Sequence, residues 1–173
     1  RPKNWVYALS RANLVAEALK GWGINYKLSE LPVQPEWSIN GTTAENGRRF
    51  RFKRDSLGDY QFGYAPADQF PLAKAMAVSA AFPGGIGPLS LKAESFEWTK
   101  RNTWDALARA ETVKLPFKRL HLYDGGVYDN LGLEPYFDSG RQVVKTPGLR
   151  IYVSDAGAPL PTGHAAGQVG PRR

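Results

Sequence analysis

Asp124-Gly125-Gly126 is the stretch of this sequence best suited to acid–base chemistry. A carboxylate can take a proton in a transition state if it sits within reach of the reacting group. Two glycines directly after it let the backbone turn sharply and adopt φ > 0. The carboxylate is then presented with no neighbouring side chain to block it. The stretch continues Val127-Tyr128-Asp129-Asn130-Leu131-Gly132-Leu133-Glu134-Pro135. Asp129 and Asn130 are residue types that hydrogen-bond back onto a turn and hold it rigid. Asp and Gly also dominate ordinary turns, so the triplet alone does not make a site.

Other chemistry-bearing residues are few. The chain has no Cys, which excludes disulfides, thiolate metal sites and Cys nucleophiles. Its two His, His121 and His164, are too few for a His-rich metal cluster. His121 lies three residues before Asp124, and in a strand that spacing puts the two side chains on opposite faces. His121 is therefore expected to be structural and His164 to be solvated. Ser79 is the one serine to weigh as a local nucleophile. It falls in an Ala-rich helical stretch with no activating base or strained turn near it in sequence, so helix packing is the expectation. Ser154-Asp155 reads as a cap or turn.

The positioning elements come from pattern. Ser10 suits an N-cap for a helix over 11–20, stopped by Gly21, with Leu14, Val15, Ala18 and Leu19 as its apolar face. Pro32 and Pro35 mark extended chain. Trp37 and Ile39, then Phe50 and Phe52, alternate with polar residues, and Asn46-Gly47 is a turn signal. The pair reads as a hairpin with a longer loop. An Ala-rich helix is expected over 68–82, with Asp68 as a cap and Pro71 in its first turn. Its expected face is Leu72, Ala75, Met76, Ser79 and Ala80. Pro83 to Pro88 form a loop carrying little side chain. A further helix is expected over 103–111, capped by Asn102 or Thr103. Strands are expected over 119–123, ending at Asp124, and from Leu149 to Val153. Residues 157–173 read as a Gly/Pro/Ala-rich tail or linker. Strands alternating with helices suggest an α/β domain, whose sites collect at the carboxyl ends of strands.

The chain has 173 residues and a net charge of +7. That length suits one globular domain, or a large piece of one. The charge is spread thinly, without basic clusters interleaved with exposed aromatics, so it gives no support to a nucleic-acid partner. Arg49, Arg51, Lys53 and Arg54 form a stripe that either holds an anionic headgroup at a membrane surface or, more simply, is the solvated face of an edge strand. No run approaches the roughly 20 apolar residues that span a bilayer. The expectation is a soluble or peripheral protein. The start at Arg1-Pro2-Lys3 reads as an internal piece of a longer protein or a processed chain.

Asp124-Gly125-Gly126-Val127-Tyr128-Asp129-Asn130-Leu131-Gly132-Leu133-Glu134-Pro135 resembles the second catalytic block of patatin-like phospholipases, where an Asp-Gly-Gly or Asp-Gly-Ala carries the dyad Asp. Ser38-Ile39-Asn40-Gly41-Thr42-Thr43-Ala44-Glu45-Asn46-Gly47-Arg48-Arg49-Phe50 is similar to that family's strand, N-x-T, turn and strand. Ala77-Val78-Ser79-Ala80-Ala81-Phe82-Pro83-Gly84 is similar to its A-x-S-A-A-x-P-G helix end, a loop beside the site. The likeness covers about residues 25–156.

The resemblance implies a partial three-layer α/β/α domain over 1–156. It implies hydrolysis of acyl esters, with phospholipid or neutral acyl glycerol as substrate. Asp124 would be the general base of a Ser–Asp dyad without His, Gly125 and Gly126 the enabling turn, and Pro83, Gly84 and Gly85 substrate-loop candidates. No metal or organic cofactor is implied. The family's nucleophile sits in a G-x-S-x-G elbow. No serine here has Gly at both −2 and +2, and the family's Gly-rich oxyanion segment is also missing. Both are expected in an upstream part of the same protein. The alternative is a non-catalytic binding module that kept the fold.

Overall fold

The computed structural model describes residues 10–101 and 110–155. The expected helix over 103–111 therefore lies mostly outside the described residues, as do the tail 157–173 and His164. Where the described residues resume, Ala110–Thr112 is a strand rather than the end of that helix.

The first helix, α1 (Arg11–Gly21), starts where Ser10 predicts, with the Ser10 hydroxyl accepting from the Asn13 amide at 3.3 Å. Its buried face differs from the expected one. Ala12 and Ala16 are fully buried, whereas Leu14 is 53% exposed. The partner explains the choice. α1 packs on α2 (Leu72–Ser79), whose buried side chains include Ala73, Ala75 and Ala77. Two Ala-rich faces approach closely, and the larger Leu face is turned away. α2 begins after Pro71, with no side-chain cap, so Asp68 does not cap it. It is buried nearly all round, between α1 and the sheet, and only its C-terminal end, at Ser79 and Ala80, is exposed.

Among the described residues the strands form one curled eight-stranded sheet in the order β5-β8-β1-β2-β3-β4-β6-β7. The strands are β1 (Ile39–Thr43), β2 (Arg48–Phe52), β3 (Ser56–Asp59), β4 (Gly63–Pro66), β5 (Leu89–Lys92), β6 (Thr99–Arg101), β7 (Ala110–Thr112) and β8 (Arg119–Asp124). Every pairing in it is antiparallel. A separate two-stranded hairpin joins β9 (Phe137–Asp138) to β10 (Val143–Val144).

This corrects the expected three-layer α/β/α domain. A parallel α/β sheet needs a long crossover between neighbouring strands. Here β1 to β4 succeed one another through short turns, so each strand returns beside the last. The expected β1–β2 hairpin is present, with Thr43 opposite Arg48 and the Asn46-Gly47 turn between them. The expected strand over 149–153 is absent. That segment has no ladder partner among the described residues, and Tyr152 is 89% exposed.

The core lies between the sheet and the helices. Phe50 and Phe52 on β2, Leu57 on β3, and Leu120 and Leu122 on β8 are fully buried. Phe52 stacks on Phe70 with ring centroids 5.3 Å apart and meets Phe50 at 5.1 Å. Burying one such side chain contributes about 1.5–3 kcal/mol. Opposite Phe50 in the register is Gly41. A Cβ at Gly41 would lie 2.5 Å from Val78 Cγ1, so the missing side chain is what lets α2 rest on β1.

Among the described residues one charged side chain is sunk into this frame. Asp59 is fully buried. Its Oδ2 accepts from Thr43 Oγ1 at 3.2 Å and Asn46 Nδ2 at 3.1 Å, and its Oδ1 from the amides of Gln61 and Phe62 at 2.8 and 2.7 Å. A buried carboxylate is tolerated only when its oxygens are satisfied in this way. The bonds tie the β1–β2 turn to the β3–β4 turn.

Candidate functional site

Asp124 is the last residue of β8, as the sequence predicts. It shares a strand face with Leu120 and Leu122, since strand side chains alternate. Its register partner is Gly41, which contributes no side chain. Three contacts fix the strand end. The Asp124 amide donates to Ala81 O at 3.0 Å, its carbonyl accepts from Thr42 Oγ1 at 2.8 Å, and its Oδ1 accepts from the Gly126 amide at 2.7 Å. Among the described residues nothing hydrogen-bonds to Oδ2, and the carboxylate is half-buried. One oxygen is held and the other is uncommitted.

The two glycines act by a different physical route from the expected one. Neither adopts positive φ, and Gly125 is in the right-handed helical region at φ −62° and ψ −31°. Gly125 is required by space. A Cβ there would lie 2.8 Å from Asn40 O and 3.0 Å from Asn40 C. The chain leaving β8 thus runs directly against the backbone of β1. Gly126 then opens a single helical turn, α3 (Gly126–Asp129).

Asp129 braces the segment after α3. Its Oδ2 accepts from the Glu134 amide at 2.7 Å, and its carbonyl accepts from the Gly132 amide at 3.2 Å. The side chain of Asp129 does not bond back into the turn as expected; it holds the segment that follows.

A cavity of about 390 Å³ opens at this strand end. Asp124, Gly125, Gly126, Asn40, Ser38 and Ser79 are among its lining residues. Ser38 Oγ donates to Asn40 Oδ1 at 3.3 Å. Ser79 corrects an expectation. It is exposed rather than packed within the helix, because α2 ends at this residue and the Ala81 bond to β8 brings that end over Asp124. Sequence reasoning missed Asn40 and Ser79 as lining residues. For Ser79 the signal was its place in the 77–84 block, similar to a loop beside the site; for Asn40 it was the N-x-T of a segment read as strand.

The other candidates fall elsewhere. Pro83, Gly84 and Gly85 do not line this cavity. They wrap the Phe82 carbonyl, which accepts from the amides of Gly85, Ile86 and Gly87, and Arg11 donates to Gly85 O at 2.7 Å. The loop is thereby tied to α1. His121 faces away from Asp124 and meets Glu45, with Nδ1 at 2.7 Å from Oε1.

The basic stripe is not on an edge strand, since β2 lies between β1 and β3. Arg49 pairs with Glu134 at 3.2 Å, Lys53 with Glu36, and Arg54 Nε donates to Leu31 O at 3.0 Å. Arg51 lies over the Tyr64 ring, 5.0 Å from its centroid, and donates to the Tyr64 hydroxyl. Burial, with a smaller contribution from neighbouring Arg49, holds the Arg51 guanidinium below its ordinary value. Each of these charges has a partner within the fold, and Arg54 is at the same time exposed to solvent.

Among the described residues no group of His, Asp and Glu is arranged to hold a metal ion. No helix among them is long and apolar enough to cross a membrane. No known protein family, curated protein sequence or solved structure matches the chain.

Proposed function

We propose that this chain supplies the general base of a serine acyl-ester hydrolase of patatin-like chemistry. The carrying observation is Asp124, at a strand end beside a cavity, with one oxygen anchored to the Gly126 amide and the other uncommitted. A base needs that combination. The anchored oxygen sets the orientation, and the free one can reach a proton.

In this reading the nucleophile is a serine outside residues 1–173. As its oxygen attacks the ester carbonyl, Asp124 takes the hydroxyl proton. The proton then passes to the departing alcohol, leaving an acyl-enzyme. Water attacks that ester, Asp124 takes its proton, and the serine oxygen recovers it as the acid leaves. The substrates are phospholipids or other lipid acyl esters. The proposal rests on the local geometry at Asp124 and on the resemblance of three sequence blocks, not on a layered α/β architecture.

The test uses the natural protein that contains this chain, treated with a fluorophosphonate and digested for mass spectrometry. The label is expected on a serine outside residues 1–173, with loss of p-nitrophenyl ester turnover. No labelling and no turnover would favour the non-catalytic binding module, and a label on Ser79 would place the nucleophile inside this chain.

A further inference from the structure

The chain that follows α3 forms one wall of the Asp124 cavity, and Glu134 fastens its far end. We propose that the Arg49–Glu134 ion pair anchors this wall to the sheet. Arg49 is then a positioning residue for the ester bound there, a role that rests on the hydrolase reading. Asp129, Asn130, Leu131 and Gly132 are the wall residues that line the cavity. Gly132, at φ 67°, turns the chain back over β1, where a Cβ on it would lie 3.7 Å from Asn40 Nδ2.

Glu134 is held at three points. Its amide donates to Asp129 Oδ2 at 2.7 Å, its carbonyl accepts from Lys145 Nζ, and its carboxylate meets Arg49 at 3.2 Å. The first two bonds stay within the segment after β8, and the third reaches the sheet. Arg49 sits on β2, which lies between β1 and β3. Strand alternation puts it on the face opposite buried Phe50 and Phe52. Asn40 shares that face, since it stands opposite Arg51 in the register, and this is where Gly132 arrives. The Arg49 side chain is only 11% exposed, so the pair is shielded on one side and is stronger than two freely solvated charges. Arg51, next on the same face, does not replace it, because it is engaged with the Tyr64 ring and hydroxyl.

The seat of Asp124 is independent of this anchor. Its amide, carbonyl and Oδ1 are held by Ala81, Thr42 and Gly126. Losing the anchor should therefore loosen the wall and weaken substrate binding, while proton transfer at Asp124 survives. A pair that only adds stability would lower the folded fraction, and with it apparent kcat, without moving KM.

The first measurement needs no catalysis: backbone amide order parameters from NMR relaxation of the 1–173 chain. Asn130, Leu131 and Gly132 are expected near the rigid value of about 0.85 in wild type and below about 0.6 in Arg49→Gln. Asp124 and Gly126 should stay rigid in both. Arg49→Lys keeps the charge and should remain close to wild type. The second measurement is ester kinetics of the natural protein that contains this chain. Arg49→Gln should raise KM about fivefold, the upper worth of a partly exposed pair. It should change kcat by less than about twofold, and Arg49→Lys should restore most of the KM. A wall already below about 0.6 in wild type, or order parameters that Arg49→Gln leaves unchanged, overturns the proposal. So does a KM that Arg49→Gln leaves unchanged in an active enzyme, whether or not kcat falls. A wall loosened by Arg49→Gln in a protein without ester turnover would remove the hydrolase reading and leave the anchor standing.

Discussion

Gly125→Ala tests the geometry that seats the candidate base. The added methyl would lie 2.8 Å from Asn40 O, 3.0 Å from Asn40 C and 3.0 Å from Asn40 Cβ. Two of those atoms are backbone in a central strand, which cannot swing aside like a side-chain tip. Overpacking of this kind costs about 1–3 kcal/mol. The backbone at Gly125 is helical, at φ −62° and ψ −31°, so Ala is conformationally welcome. Reduced unfolded-state entropy returns about 0.4–1 kcal/mol. The net expectation is a loss of about 1–2 kcal/mol. With a urea slope of about 1–3 kcal/mol/M, the unfolding midpoint should fall by about 0.3–2 M. Trp98, only 3% exposed, is a suitable fluorescent reporter. Gly21→Ala is the control. It is the last residue of α1 and an added Cβ meets nothing within 4 Å. That variant should gain about 0.5–1 kcal/mol. If Gly125→Ala is as stable as wild type while Gly21→Ala behaves as expected, the close approach of the post-β8 turn to β1 is not part of the native structure. The placement of Asp124 would go with it.

Two further substitutions examine the frame. Asp59→Ala strands four donors, from Thr43, Asn46, Gln61 and Phe62, and should cost about 3 kcal/mol or more. Asp59→Asn should recover part of that loss in urea unfolding, because a carbonyl oxygen can still accept the two amides. Ser10→Ala removes the cap of α1 and should lower stability by about 1 kcal/mol, read from the thermal midpoint.

Local signals were legible where one residue type has one dominant use. Ser10 marked the start of α1, Asn46-Gly47 marked the β1–β2 turn, and Asp124 marked the end of β8. Helix faces were less legible. Leu14 looks like a core residue, but α1 meets an Ala-rich partner and buries Ala12 and Ala16 instead. The fold class was misread because several strands lack a strand-like pattern. β3 is Ser56-Leu57-Gly58-Asp59 and β4 is Gly63-Tyr64-Ala65-Pro66. Each is short, and each contains Gly or Pro, which normally argue against strands. They are held by antiparallel ladders whose partners lie close in sequence, so pairing overrides propensity. With β3 to β7 unseen, the visible helices and strands alternated and suggested crossovers. The strand-end position of Asp124 was legible, and the 77–84 block was placed beside it by resemblance, but Asn40 and Ser79 as side chains lining the same cavity were not. Ser79 reaches the cavity only because Ala81 O bonds the Asp124 amide, a contact between positions 43 residues apart that no local pattern carries.

The central claim is that Asp124 takes a proton during catalysis rather than merely capping a turn. The direct measurement is kcat for Asp124→Asn and Asp129→Asn in the natural protein that contains this chain, assayed on an acyl ester. Asparagine at 124 keeps an oxygen to accept from the Gly126 amide, so folding should survive, as circular dichroism would show. It cannot take the serine proton, and a positioned base is worth about 10²–10⁴ in rate. Asp124→Asn should therefore lower kcat by at least about a hundredfold. Asp129→Asn loses the charge on the bond to the Glu134 amide and should cost stability before rate. An Asp124→Asn variant that keeps more than about a tenth of wild-type kcat, well above what loss of a base allows, would contradict the account.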